Sequence, residues 1–94
     1  MESNKNTAVI SVIGKDRVGI IAGVATLLSQ NDININDISQ TILDGIFMMI
    51  MMVDLKDNDI ENSDIVDKLN ALGEELGVTI TIQHTDLFDR MHRI

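Results

Sequence analysis

The chain has 94 residues and a formal charge of −8, and it contains no cysteine, proline or tryptophan. A chain of this length has room for one core, so residues 1–94 are expected to form a single domain. The acidic excess repels phosphate backbones and argues against direct nucleic-acid binding. The lack of cysteine excludes disulfides, thiolate metal sites and thiol redox chemistry.

The N-terminal segment, residues 1–6, is polar and is expected to be flexible. It lacks the apolar run of a secretory signal, and the longest apolar stretch in the chain, residues 46–53, is too short to span a bilayer. These features predict a cytoplasmic protein that does not associate with a membrane. No pattern of residues indicates a metal ion or a cofactor.

The first predicted strand is Thr7–Ile13, a β-branched run closed by Gly14. It has apolar residues on both faces, which is typical of a central strand. After the loop 14–19, apolar residues recur at helical spacing as far as Asn31 and predict a first helix with a wide buried stripe. That stripe comprises Ile20, Ile21, Val24, Ala25, Leu27 and Leu28.

The second predicted strand, Ile33–Leu43, changes its apolar residues from odd to even positions. A straight strand would then turn its core side outward, so a bulge is expected near Asn36 and Asp37. Asp44-Gly45 is a strong hairpin signal, and residues 46–54 should return as a third strand antiparallel to the second.

A second helix is predicted for Ile65–Leu76, with Gly77 ending it. From Val78 onward, apolar and polar residues alternate, which favours a strand at the edge of the sheet. Residues 86–94 are predicted to form a short C-terminal helix. Such a helix is marginal alone and would need to dock through Leu87, Phe88 and Met91.

The order strand, helix, strand, strand, helix, strand predicts a ferredoxin-like βαββαβ fold of the α+β class. Right-handed crossovers give an antiparallel sheet of order 4-1-3-2 with both helices on one face. The third strand has apolar side chains on both faces, and the helices can cover only one of them. A homodimer is expected, because monomers rarely expose a large apolar patch.

The loop from Gly14 to Gly19 is the first candidate for ligand contact. It leads into the first helix, whose free N–H groups and positive dipole end attract a small anion. Gly19 would permit close approach of a ligand, and Lys15 and Arg17 add positive charge. The two glycines are equally consistent with a tight turn that has no ligand.

A run of polar residues that begins at the start of the second strand is the second candidate; it comprises Asn34, Asn36, Asp37, Ser39 and Gln40. Its amide and carboxylate groups suit the ammonium of a ligand. Asn and Asp also serve as turn and bulge residues that satisfy backbone groups, and that alternative is open. The start of this strand is expected at the same end of the sheet as the first loop, or across a subunit interface from it.

Two motifs in this order carry a family resemblance. Gly-Lys-Asp-Arg-Val-Gly-Ile-Ile-Ala-Gly-Val (14–24), followed by Asn-Ile-Asn-Asp-Ile-Ser-Gln-Thr (34–41), resembles the ACT domain, whose first turn usually reads Asp-x-x-Gly. The resemblance covers nearly the whole chain. The second motif is similar to small single-ACT proteins of bacteria and archaea related to the glycine-cleavage transcriptional repressor.

The resemblance implies a regulatory homodimer that binds an amino acid or similar metabolite at the subunit interface. Many ACT domains regulate an enzyme or DNA-binding region in the same polypeptide, so this chain is expected to signal through a partner protein. The residues that the resemblance and the loop chemistry assign to the ligand site are Asp16, Arg17, Val18, Gly19, Ile20, Asn34 and Asp37.

Two alternatives are open. An acylphosphatase-like hydrolase has the same fold and places an arginine and a phosphate-binding loop between the first strand and the first helix, which Arg17 permits. The usual Gln-Gly-Val-x-Phe-Arg continuation, however, reads Val-Gly-Ile-Ile-Ala-Gly here (18–23). The other alternative is an ACT dimer that binds no ligand and acts only in protein interaction. We expect a binding module and not an enzyme.

Overall fold

The computed structural model describes residues 6–15, 19–60 and 63–86. These form one four-stranded antiparallel sheet and two helices in the order predicted. The elements are β1 (Thr7–Lys15), α1 (Ile20–Gln30), β2 (Asn34–Leu43), β3 (Ile46–Asp54), α2 (Ile65–Leu76) and β4 (Val78–His84).

The sheet order is β2-β3-β1-β4, which is the predicted order read from the opposite edge. Both helices pack on one face of the sheet, so the ferredoxin-like fold is confirmed. The predicted central strands are β3 and β1, and β4 is an edge strand that pairs only with β1.

The core lies between the helices and one face of the sheet. In β3 burial alternates strictly: every second residue is buried and the residues between them are exposed. The buried residues of β3 are Phe47, Met49, Met51 and Val53. Ala8, Ile10 and Val12 of β1 lie beside them in the same core.

The helices contribute narrower stripes than the sequence predicted. Fully buried residues recur every four positions on α1, at Ile20, Val24 and Leu28. Ile21 was expected in the stripe but is exposed, because it lies on the side of α1 beside Ile42, at the β2 edge of the sheet.

The predicted bulge in β2 is confirmed. The register with β3 shifts between Ile35 and Asp37, so Asn36 is the extra residue. The extra residue keeps Ile38, opposite Met51, on the side of the sheet that faces the helices. The predicted hairpin turn is also present, with left-handed backbone at Asp44 (φ 55°) and Gly45 (φ 82°).

The first strand is longer than predicted. Gly14 was expected to close it, but Gly14 and Lys15 continue the ladder, opposite Phe47 and Ile46 of β3. Gly14 is needed there for packing: a Cβ at this position would lie 2.6 Å from Cγ1 of Val78.

One end of the sheet is fastened by polar side chains. The amide nitrogen of Asn6 donates to the carbonyl oxygens of Lys56 (3.0 Å) and Asn58 (2.6 Å), and its Oδ1 lies 2.7 Å from Nε2 of His84. Asn6 therefore joins the start of β1 to the segment after β3 and to the end of β4. Residues 1–5 of the expected flexible terminus, and most of the expected C-terminal helix including Leu87, Phe88 and Met91, lie outside the described residues.

Two helical glycines allow a matched test of the packing. A Cβ at Gly73 of α2 would lie 2.7 Å from the carbonyl oxygen of Val78, which is backbone and cannot move freely. We expect Gly73→Ala to lower the free energy of unfolding by about 1–2 kcal/mol, since overpacking outweighs the gain in helix propensity.

The control is Gly23→Ala in α1, where the nearest atom to a Cβ is the flexible Cδ1 of Leu76 at 3.3 Å. This change should be neutral or stabilising by up to about 1 kcal/mol. Urea unfolding monitored by circular dichroism measures both variants. Equal effects at the two positions would contradict the packing argument.

Candidate functional site

The start of α1 is a helix end without a side-chain cap. Gly19 precedes it in a left-handed conformation (φ 94°), and its carbonyl oxygen accepts the first helical hydrogen bond from the N–H of Gly23 at 2.8 Å. Within the described ranges no side chain caps the N-terminal amides, and the first turn has no acidic residue. The positive end of the helix dipole is therefore not neutralised by its own helix.

An open cavity of about 250 Å³ adjoins this helix end. Gly19 and the first turn of α1 line one side, and Gln40 and Ile42 of β2 line the other, above the ring of Phe47. Among the described residues that line it, Gln40 is the only one with a polar side chain, so this part of the site combines apolar walls with backbone amides and one side-chain amide. Such a combination suits a small polar ligand with an apolar part.

The structure places the predicted site residues in three groups. Gly19 and Ile20 line the cavity at the start of α1. Asp16, Arg17 and Val18 lie outside the described residues. The remaining two predicted residues, Asn34 and Asp37, lie elsewhere on the sheet.

Asn34 lies at the opposite end of the sheet from the first loop. It is paired with Asp54 at the end of β3, whereas Lys15 and Leu43 are both paired with Ile46 at its start. The two ends are eight residue steps apart along β3, a distance of roughly 26–27 Å. The start of β2 was expected either beside the first loop of the same chain or across a subunit interface from it. The first placement is wrong, and the second stays a prediction.

Asn34 and Asp37 both make local hydrogen bonds at the bulge of β2. The amide nitrogen of Asn34 donates to Oδ1 of Asn36 at 3.0 Å, and Oδ1 of Asp37 accepts the N–H of Ile38 at 2.9 Å. Each side chain is exposed and retains further acceptor capacity. The structural role of these residues is thus real and does not prevent contact with a ligand.

A second open cavity, of about 340 Å³, adjoins Asn34. Ser29, Asp32 and Lys56 contribute its other polar side chains, and Nζ of Lys56 lies 3.5 Å from Oδ1 of Asp32. Both charged groups are well exposed, so this ion pair contributes little to stability. It gives the cavity groups of both charges.

Sequence reasoning included Gln40 in the polar run of β2 but did not place it beside Gly19, and it missed Ile42 and Phe47 as neighbours of the first loop. Ile42 is opposite Phe47 and Gln40 is opposite Met49 in the β2–β3 ladder. Only the register of this hairpin, combined with the position of α1, brings them beside Gly19. The Asp44-Gly45 turn was the available signal, because a two-residue turn sets that register.

The described residues contain neither a cluster of metal ligands nor a helix that could span a membrane. Among them, no group of three or more His, Cys, Asp or Glu side chains is arranged to hold a metal ion. No helix within the described ranges is long and apolar enough to cross a membrane.

Comparisons with known proteins agree with this architecture. The model of the ACT domain family matches residues 6–83. A UPF0237 protein of Methanocaldococcus jannaschii is 50% identical over 86 residues, which are 92% of this chain and 96% of that protein.

Solved structures give the same result. An ACT domain protein from Streptococcus pneumoniae has a TM-score of 0.80 and 38% identity, and the match covers 92% of this chain and 97% of that one. A putative glycine cleavage system transcriptional repressor has a TM-score of 0.75 with 24% identity, over 87% of this chain and 47% of that one. At that identity the likeness shows the fold alone.

Proposed function

The chain belongs to the ACT domain family, a family of regulatory ligand-binding domains, and we propose that it is a cytoplasmic regulatory homodimer that binds an amino acid and signals through a partner protein. In this proposal the chain is a binding module and catalyses no reaction. The observation that carries it is the uncapped start of α1, which opens into a cavity beside Gln40.

The carboxylate of the amino acid binds at the start of α1. The N–H groups of the first turn supply donors, and the dipole favours a negative charge there. No acidic side chain in that turn opposes it. The apolar part of the ligand lies against Ile42 and Phe47, which line the same cavity.

The ammonium group is recognised by a second subunit. Because Asn34 and Gly19 lie at opposite ends of the sheet, one chain cannot bring them together. If two β2 strands pair antiparallel about a point near Ile38, and the extra residue of the bulge is counted, residue 34 of each chain falls beside residue 41 of the other. Asn34 of the second chain is thereby brought to the end of the joined sheet where Gly19 of the first lies, and Asp37 follows it along the paired edge, so the ammonium is met across this edge.

The β2 edge has the properties that this pairing requires. It pairs on one side only, so its other edge offers backbone groups for a further strand. Beside that edge, Ile21 of α1 and Ile38 and Ile42 of β2 are exposed large apolar residues. Pairing of two β2 strands would bury these side chains on the helix side of a continuous sheet.

The first test is a thermal-shift screen of the twenty amino acids. A ligand that binds only the folded state stabilises it by about 2.7 kcal/mol at one hundred times its Kd. For a domain of this size, each kcal/mol raises the melting temperature by about 4–8 °C. No shift with any amino acid would contradict the proposed ligand class.

Asn34→Ala should weaken binding of the amino acid found in that screen about tenfold or more, because the ammonium loses a charge-assisted hydrogen bond worth about 1.5–3 kcal/mol. Asn70→Ala, an exposed position on α2 outside the proposed site, is the matched control and should leave binding unchanged. Isothermal titration calorimetry measures both. Equal binding of the α-keto analogue by the unaltered protein would remove Asn34 from this role.

Gly19→Ala should lower stability by about 1–2 kcal/mol, because the residue has a left-handed backbone conformation. It should also abolish binding, since the added Cβ projects at the helix end where the carboxylate is proposed to bind. Gly45→Ala imposes similar strain at the hairpin turn (φ 82°) and should leave binding intact. Loss of binding in both variants would assign the effect to stability.

Ile42→Asp should halve the mass of the assembled protein and abolish binding together, since it places a charge at the paired edge and in the cavity. Ile42 is 58% exposed in the single chain, so the substitution should not unfold it. Sedimentation velocity and the calorimetric titration measure the two effects. An unchanged mass would contradict the β2 pairing.

A further inference from the structure

The face of the sheet that points away from the helices forms a second apolar surface. We call it the open face. Its central residues, in directly opposed positions on β1 and β3, are Val9, Ser11, Ile13, Met48, Ile50 and Met52. Ile13, Met48, Ile50 and Met52 are each 38–54% exposed, although they occupy the middle of the sheet.

Apart from Asp37 at its β2 edge, the central part of the open face is uncharged. Opposite the central residues, β4 adds Thr79, Thr81 and Gln83, and β2 adds Ser39, Thr41 and, opposite Met52, Asp37. Charges appear only towards the ends, with Lys15 at one and Asp37 and Asp54 towards the other. The chain has a net charge of −8, so charged residues are depleted on this part of the surface. The cores of protein interfaces show the same depletion of charged residues.

We propose that the open face packs against the open face of a second copy of this chain, with the β3 strands antiparallel. The central apolar stripe reads Met48, Ile50, Met52, which is the same in both directions. A two-fold axis beside Ile50 therefore places methionine against methionine and isoleucine against isoleucine. The interface is isologous and closes on itself.

Charge at the ends of the face selects the antiparallel arrangement. In that orientation, Lys15 of one copy lies over the end of the sheet that holds Thr7 and Asp54 of the other. In the parallel orientation, Lys15 would face Lys15, and the carboxylates would face each other. Opposite charges across an interface favour the first arrangement, and like charges disfavour the second.

The shape of the open face also fits this partner. A cavity of about 190 Å³ lies beside Ile13, Met48 and Ile50. Under the two-fold axis it faces Met52 of the second copy, and a flexible methionine fills such a gap well. At the usual strand spacing and rise, the face measures about 570 Å² in each copy, so the pair buries roughly 1,100 Å², enough for a specific interface.

This interface is separate from the pairing of β2 edges under the proposed function, and it does not involve the ligand cavity. The two interfaces together would join four chains in a closed assembly with two kinds of two-fold contact. The open face therefore predicts an assembly of twice the size that ligand binding needs.

The test is the mass of the full chain in solution by sedimentation velocity. The unaltered protein should sediment as four chains, and Ile50→Asp should sediment as two and still bind the amino acid. Val66→Asp is the control: Val66 is 37% exposed on α2 and outside both surfaces, so the mass should not change. An Ile50→Asp protein with the mass of the unaltered one, or an unaltered protein without self-association, overturns the proposal.

Cross-linking tests the orientation without relying on a disruptive variant. The chain has no cysteine, so introduced thiols are unique. A mixture of the Met48→Cys and Met52→Cys proteins should give cross-linked pairs with a short bifunctional thiol reagent, and each protein alone should give few. Stronger cross-linking of either protein with itself would overturn the antiparallel arrangement.

These measurements separate the two proposals. If no amino acid binds but Ile50→Asp still halves the mass, the ligand proposal fails and the open-face interface stands. If an amino acid binds but Ile50→Asp leaves the mass unchanged, the open-face interface fails and the ligand proposal stands.

Discussion

The pairing of β1 with β3 is the constraint on which the rest of the molecule depends. Its register sets Ile10 opposite Met51 and Val12 opposite Met49, so one face of the central pair is a continuous apolar surface on which both helices pack. Burying one such side chain fully contributes about 1.5–3 kcal/mol. The same alternation places Met48, Ile50 and Met52 on the other face, where the described part of the chain does not bury them. One pattern thus produces both the core and a surface suited to association.

The bulge at Asn36 adapts the edge of this sheet to the helix layer. Without the extra residue, Ile38 and Ile42 would turn to the open face, and the apolar side chains of β2 would be lost from the helix side. With it, Gln40 and Ile42 line the cavity at the start of α1. The side chains of Asn34 and Asp37 form hydrogen bonds within the bulge. Residues that look like a ligand-binding motif in the sequence therefore have a structural task as well.

The elements of the fold could be predicted from the sequence because their signals are local. Asp44-Gly45 favours a turn through its left-handed backbone, Gly77 ends α2 for the same reason (φ 75°), and the change of apolar parity in β2 required a bulge. The cavity could not be predicted in this way. Gln40 and Phe47 reach Gly19 through strand register and helix position, which depend on contacts distant in sequence. Gly14 was wrongly predicted to end the first strand. Its lack of a side chain leaves space for Val78 of the neighbouring strand, and that contact is not visible in the sequence.

The acidic charge of the chain restricts which of its surfaces could take part in the proposed association. Each chain carries −8, so bringing two chains together costs electrostatic free energy wherever like charges approach within about 8–10 Å. The open face and the exposed isoleucines beside β2 avoid most of that cost, because their central residues carry no charge. A ligand that contacts two chains adds binding free energy to only one of the two proposed interfaces. By linkage, the proposed assembly at the β2 edge would then rise with ligand concentration, and ligand affinity would rise with assembly. The proposed open-face contact would form independently of either.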